Sequence, residues 1–209
     1  MSDAGAIKRA VLVLDVTPAS LAARNLALAV AAGNGARLTG LVIVDPKIVT
    51  PPEPIPIGAY SFKQRKDQVL LERARKNGAE LVQEFRNEAE KANVNCDSLI
   101  IVEETFKALV GASATHDVVF TGFDAAFGSS TNEKLSPFIR DLLHDNPRPL
   151  IVTPKALRAG RRALVAYDGT ISAMRALQMF CFARLGYDEV IVTSVSAVTA
   201  PAAHASCPM

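Results

Sequence analysis

Residues 162–172, Arg-Ala-Leu-Val-Ala-Tyr-Asp-Gly-Thr-Ile-Ser, repeat the pattern of residues 9–18, Arg-Ala-Val-Leu-Val-Leu-Asp-Val-Thr-Pro, at a constant offset of 153 residues. Arg9 matches Arg162, Ala10 matches Ala163, Asp15 matches Asp168 and Thr17 matches Thr170. Each copy reads as a buried strand that ends in an acidic turn and opens a helix. A fixed offset across strand, turn and helix start marks a duplicated unit. The first copy has about 150 residues to fill, the usual size of a domain. The second, from Arg161, has 49 residues.

Within the first copy, residues 7–15 are apolar nearly throughout, which predicts a central strand covered on both faces. Thr17 and Pro18 then start a helix as N-cap and first helical residue, and Gly33-Asn34-Gly35 stops it. Residues 37–45 are the second strand, parallel to the first. Five prolines make 46–58 an extended loop. A loop of that kind either covers a site or is a tolerated surface insertion. Residues 60–92 are a long helix that Gly78 is expected to kink or split. Strands follow at 98–102, 117–122 and 149–153, with helices over 103–115 and 134–146; Pro137 must lie in the first turn of the latter. The second copy repeats strand 162–168, helix 171–186 and strand 188–196. Residues 199–209 are small, polar and patternless and read as a disordered tail. The predicted domains are 1–155, a partial repeat over 156–198, and that tail.

Five strands alternating with four helices predict an open, mostly parallel, doubly wound α/β sheet with helices on both faces, followed by a partial second βαβ repeat. Ligands on such sheets bind beyond the carboxyl ends of the strands, where the winding reverses. Asp15, Asp45 and Gly122 stand at such ends and are expected to converge there.

The net charge is only +2 and no apolar run reaches the length of a membrane span, so neither nucleic acid nor a membrane is an expected partner. The basic clusters around Lys63-Arg65-Lys66 and Arg73-Arg75-Lys76 sit in a charge-mixed segment and read as a solvated helix face. Cys96, Cys181 and Cys207 form neither a disulfide framework nor a metal spacing, and His116, His144 and His204 match no ligand pattern. Structural roles are expected for all six, with no metal, in a reducing, cytoplasmic compartment. His116 and Asp117 point to opposite strand faces and make a poor catalytic pair. No catalytic residue stands out: Ser172 lacks a nucleophile elbow, and no P-loop motif is present.

The segments Val165-Ala166-Tyr167-Asp168-Gly169-Thr170, Asp15-Val16-Thr17, Val42-Ile43-Val44-Asp45, Val118-Val119-Phe120-Thr121-Gly122 and Asn146-Pro147-Arg148-Pro149-Leu150-Ile151-Val152 resemble, in this order and spacing, the universal stress protein family. The resemblance covers residues 7–153 as a full domain and 161–196 as the start of another. It implies an adenine-nucleotide alpha-hydrolase-like fold, a tandem arrangement, and ATP as the cofactor class. It also implies a homodimer or pseudo-dimer with further protein partners. Carried onto this chain, the nucleotide contacts fall on Asp15, Val16, Thr17, Ile43, Gly122, Gly128, Ser129 and Ser136.

The family signature is Gly-x-x-Gly, about nine residues, then Gly-Ser or Gly-Thr at a helix start. Such glycines let backbone N–H groups approach phosphates at a helix N-terminus. This chain departs from it. Gly122 holds the first glycine position, but the second is Ala125, and the Gly-Ser pair falls on Ser136-Pro137. Proline removes a phosphate-facing N–H, and Asp124 adds negative charge. Gly128-Ser129-Ser130 offers a substitute anion nest, but too early in the spacing. These departures count against ATP binding by the first domain. Turn punctuation by Asp15 and Asp168 and capping by Thr17 explain those residues equally well.

The expected function is therefore a non-catalytic stress-response module that acts by association, with a nucleotide as a modulator. Its rival is an ATP-hydrolysing or adenylating enzyme on a related fold. A flavodoxin-like receiver or flavin module is a third reading, disfavoured by the tandem echo. Residues 161–196 cannot easily bury both faces alone. They are expected to be an assembly element, or the start of a longer tandem protein.

Overall fold

The computed structural model describes residues 7–56, 58–125, 139, 142, 143, 146, 148–157, 160–183 and 185–194. These form two compact units, one over Lys8–Leu157 and one of Ile7 together with the described residues from Gly160 onward. Gly128, Ser129, Ser136, Pro137, most of the helix expected at 134–146 and the tail 199–209 lie outside the described residues.

The first unit runs β1 (Arg9–Val13), α1 (Pro18–Asn34), β2 (Arg37–Val44), α2 (Pro46–Val49), α3 (Tyr60–Lys91), β3 (Cys96–Val102), α4 (Thr105–Ser113), β4 (Val118–Gly122) and β5 (Leu150–Thr153). The sheet order is β3-β2-β1-β4-β5, and every pairing is parallel. This is the doubly wound sheet expected from the alternation of strands and helices.

Burial explains why the central strands read as unbroken apolar runs. Ala10, Val11, Leu12 and Val13 are all buried because both faces of β1 are covered. On one face Val11 and Val13 join Leu41, Val119, Leu142 and, from α4, Leu109. On the other face β2 meets α3. A Cβ on Gly40 would lie 2.6 Å from Cδ1 of Phe85, so the missing side chain makes room for the aromatic ring. Helix α1 packs on that second face too, with Ala19, Ala23, Ala27 and Ala31 buried.

Two expectations are corrected. Residues 46–58 are not loop throughout, because Asp45 caps a short helix, α2, with Pro46 in its first turn. Gly78 does not split α3, which is one continuous helix of 32 residues. Its glycine is required by packing instead, since a Cβ there would come within 2.8 Å of Cγ1 of Val42. Only the second half of α3 is anchored: its buried residues are Gly78, Val82, Phe85 and Ala89.

The second unit contains β6 (Arg162–Ala166), α5 (Ile171–Ala183) and β7 (Glu189–Thr193), with β6 and β7 parallel. The echo holds at atomic level. In α1 the Thr17 hydroxyl accepts from Ser20 N at 3.3 Å, and in α5 the Thr170 hydroxyl accepts from Ala173 N at 3.1 Å. The Asp168 carboxylate accepts from Thr170 N at 2.9 Å. Hydrogen bonds from Thr170 hold it below the usual aspartate range. Burial does not follow the echo: Leu164 is 71% exposed, whereas its counterpart Val11 is 0% exposed.

Candidate functional site

Strand β1 pairs with β2 on one side and β4 on the other, and the winding reverses between β1 and β4. That reversal places the carboxyl ends of these strands at the switch point, where doubly wound sheets bind ligands. The segments that leave the sheet there are Asp15–Thr17, Asp45 and Gly122–Ala125.

Each of these residues already has local work. The Asp15 carboxylate accepts from Val16 N at 2.7 Å, while the Val16 side chain is exposed. Thr17 spends its hydroxyl on the α1 cap, accepting from Ser20 N and donating to Ser20 Oγ at 3.0 Å. Gly122 faces the first turn of α1. A Cβ there would stand 2.5 Å from Ser20 N and 2.6 Å from the carbonyl carbon of Ala19. Thr153 Oγ1 donates to Ala19 O at 2.7 Å and fixes β5 to the same turn. The glycine that heads the expected phosphate motif thus has a packing requirement of its own. Ile43 registers with Ile101 on β3 and packs against the α4 side of the core.

Beyond β4 the chain turns tightly, with Ala125 N donating to Gly122 O at 3.2 Å. Ala125 is fully buried, so the second motif position points no backbone-only surface to solvent. Asp124 is also buried, and its Oδ1 has no hydrogen-bond partner among the described residues. Phe123 N donates to Thr153 O at 3.0 Å, and Lys155 Nζ lies 5.9 Å from the Phe123 ring centroid.

Asp45 has a role that its position at a strand end did not reveal. Oδ1 accepts from Lys47 N at 2.9 Å and so caps α2. Oδ2 accepts from Thr105 N at 2.7 Å and Thr105 Oγ1 at 3.0 Å, at the start of α4. One carboxylate therefore closes two helix N-termini. Burial pushes its pKa up, but the hydrogen bonds from Thr105 and Lys47 and the Lys47 charge outweigh that and hold it below the usual aspartate value. The Lys47 ammonium in turn meets Glu104 Oε2 at 2.7 Å.

The proline-rich stretch, expected either to cover a site or to be a surface insertion, borders an open groove of about 470 Å³ against the first half of α3. Ile55, Tyr60, Leu71, Arg75 and the Lys63–Asp67 ion pair at 3.1 Å line it. Elsewhere the titratable groups are structural. His116 is buried between Ala112 O, 2.7 Å from Nδ1, and Thr39 Oγ1, 2.9 Å from Nε2. Asp117 accepts from Lys8 N and Arg9 N, both at 2.9 Å, at the head of β1. Cys96 and Cys181 are free thiols. Among the described residues no three acidic, histidine or cysteine side chains converge as a metal site, and no helix is long and apolar enough to cross a membrane.

No protein-family model matches the sequence, and no curated protein does. Solved structures do. A universal stress protein from Archaeoglobus fulgidus superposes with a TM-score of 0.67 at 17% identity, covering 92% of this chain and 67% of that one. Universal stress protein UspA from Lactobacillus plantarum gives 0.56 at 14% identity, over 70% of this chain and 97% of that one. A universal stress family protein from Burkholderia pseudomallei gives 0.52 at 16% identity, over 70% and 96%. Strand order, switch point and superposition agree: this chain has the universal stress protein fold.

Proposed function

We propose that the chain is a tandem-type universal stress protein that acts in the cytoplasm as a non-catalytic module, through association with a second copy and with other proteins. The observation that carries this reading is the β3-β2-β1-β4-β5 sheet together with its superposition on universal stress proteins. Similarity over 92% of the chain, together with the repeated cap at Asp168 and Thr170, supports the tandem arrangement. The exposed apolar side chains of the second unit, Leu164, Ile171 and Phe182 among them, support a role for residues 161–196 in assembly.

Adenine nucleotide at the β1–β4 crevice, against Asp15, Val16, Thr17, Ile43 and Gly122, is the modulatory part of the proposal. Its weight is reduced by the packing around Gly122 and by the buried carboxylate of Asp124. The same features disfavour the rival reading as an ATP-hydrolysing or adenylating enzyme, since no base and nucleophile pair stands beside the crevice among the described residues.

The test is to denature freshly purified protein, run the released small molecules on anion-exchange chromatography, and titrate ATP by calorimetry. Adenine nucleotide that is released or titrates at one per domain establishes the modulatory site. None at millimolar ATP removes it and leaves association as the mode of action. Gel filtration of residues 1–157 beside the full chain tests the assembly role, and an unchanged oligomeric state would sink it.

A further inference from the structure

Helix α3 is about 48 Å long at 1.5 Å per residue, roughly twice the length of the seven-residue strand β3 beside it. Its first half has no buried residue. At 100° per residue, one stripe lies opposite the anchored Gly78–Val82–Phe85–Ala89 face. In the first half that stripe carries Phe62, Arg65, Lys66, Val69, Arg73 and Lys76. In the second half it carries Glu80, Gln83, Glu84 and Asn87, and all ten residues are exposed. The basic half holds no acid on the stripe, and the acidic half no base before Lys91.

These charges lie between the first and last turns of α3, beyond the reach of the helix macrodipole, which acts on charges at the helix ends. Helix stability therefore does not account for it. A solvated face does not either, because i,i+4 pairing calls for interspersed signs. Such interspersed pairs do occur on α3, but off the stripe, as in Lys63–Asp67 at 3.1 Å. Segregation of plus and minus along one stripe is self-complementary when the stripe is inverted on a copy of itself.

We infer that the outer stripe of α3 is an isologous interface, on which two copies of this chain pair antiparallel about a two-fold axis near Lys76 and Asn77. The axis sets Arg73 of each copy opposite Glu80 of the other. It brings Arg65 and Lys66 within one turn of Glu84, and Phe62 against the stem of Lys91. An isologous contact closes after two copies and builds no fibre. Individual exposed ion pairs are weak, so the dimer is salt-sensitive and reversible. Val69 and Phe62, 62% and 69% exposed, become covered. The stripe lies wholly in the unit Lys8–Leu157, so this contact goes beyond the association proposed for residues 161–196 and is separable from it.

The test uses the full chain in two charge-reversed forms, followed by sedimentation equilibrium. R65E/R73E/K76E turns the basic half of the stripe net acidic and leaves Lys66 to its pair with Glu53 at 3.5 Å. E80K/Q83K makes it basic and leaves Glu84 and Glu88 free to hold Arg24, at 3.7 and 2.7 Å. All five positions are exposed, and circular dichroism checks that both variants stay folded. Each variant alone is expected to self-associate at least tenfold more weakly than the parent chain. An equimolar mixture is expected to form a heterodimer at least as tight as the parent dimer. Association unaffected by either reversal places the contact elsewhere and overturns the inference. So does weakening that the mixture does not restore, which would make the basic half a site for a different anionic partner. A parent chain that is monomeric at every concentration overturns both this contact and assembly through 161–196. Unchanged association of residues 1–157, with the charge-swap behaviour intact in the full chain, would fault only the latter.

Discussion

Gly122 lies so close to the first turn of α1 that a Cβ on it would stand 2.5 Å from the backbone nitrogen of Ser20. The opposing atoms are backbone, and Thr153 holds the same turn through Ala19 O at 2.7 Å, so neither side can yield by a side-chain rotation. Gly122→Ala is expected to destabilise the protein by about 1–3 kcal/mol, the usual cost of overpacking. Urea unfolding followed by circular dichroism measures it. A substitution without effect on the midpoint would show that the glycine serves a ligand and not the packing.

Asp45 makes stability depend on acid. Its folded pKa is below the unfolded value near 3.8. Its contribution is therefore fully present above the unfolded value and is lost as the pH falls through the folded one. Asp45→Asn keeps the shape but loses the charge-assisted bonds from Thr105 and Lys47, at a cost of about 1–3 kcal/mol at pH 7. The gap between the two proteins should close below pH 3.8, as read from urea midpoints measured across pH. A gap independent of pH would mean that shape, and not charge, holds α2 and α4.

Asp124 is the opposite case, a buried carboxylate with an oxygen that has no hydrogen-bond partner among the described residues. Asp124→Asn removes the charge at nearly constant volume and is expected to raise stability at pH 7 by about 1–3 kcal/mol. Thermal unfolding at neutral pH is the readout, and a lower melting temperature would reveal a partner for the carboxylate.

His116 has its tautomer set by its neighbours. The Ala112 carbonyl can only accept, so Nδ1 carries the proton, and Nε2 is left to accept from the Thr39 hydroxyl. Nitrogen NMR of the labelled protein at neutral pH should show a protonated Nδ1 and a bare Nε2 on this ring. His116→Ala leaves Thr39 without its partner and opens a cavity, with an expected loss of about 2–4 kcal/mol.

The strands were legible because a doubly covered strand must be apolar on both faces. Val11–Leu14 and Leu41–Val44 carry that pattern up to the aspartates that end them. The start of α1 was legible because Thr17 and Pro18 act through bonds only three residues long. What escaped the sequence depends on distant contacts. Helix α2 has four residues and no periodicity, and its cap residue is fixed by Thr105, 60 residues away. Gly78 reads as a helix breaker until Val42 is seen beneath it. At the crevice the residue types were visible, but their use was not. Spacing alone cannot distinguish a glycine that admits a phosphate from one that admits the backbone of Ser20.

The central position of β1 also has a consequence for how the chain is made. One edge of β1 pairs with β2 from Arg9↔Arg37 onward, but the other must wait for Val118 to meet Ala10, 108 residues later. At roughly 5–20 residues per second, synthesis takes about 5–20 s to cover that distance. Throughout that interval a fully apolar strand presents one open edge, the form in which a nascent chain is most exposed to mispairing and most in need of a chaperone.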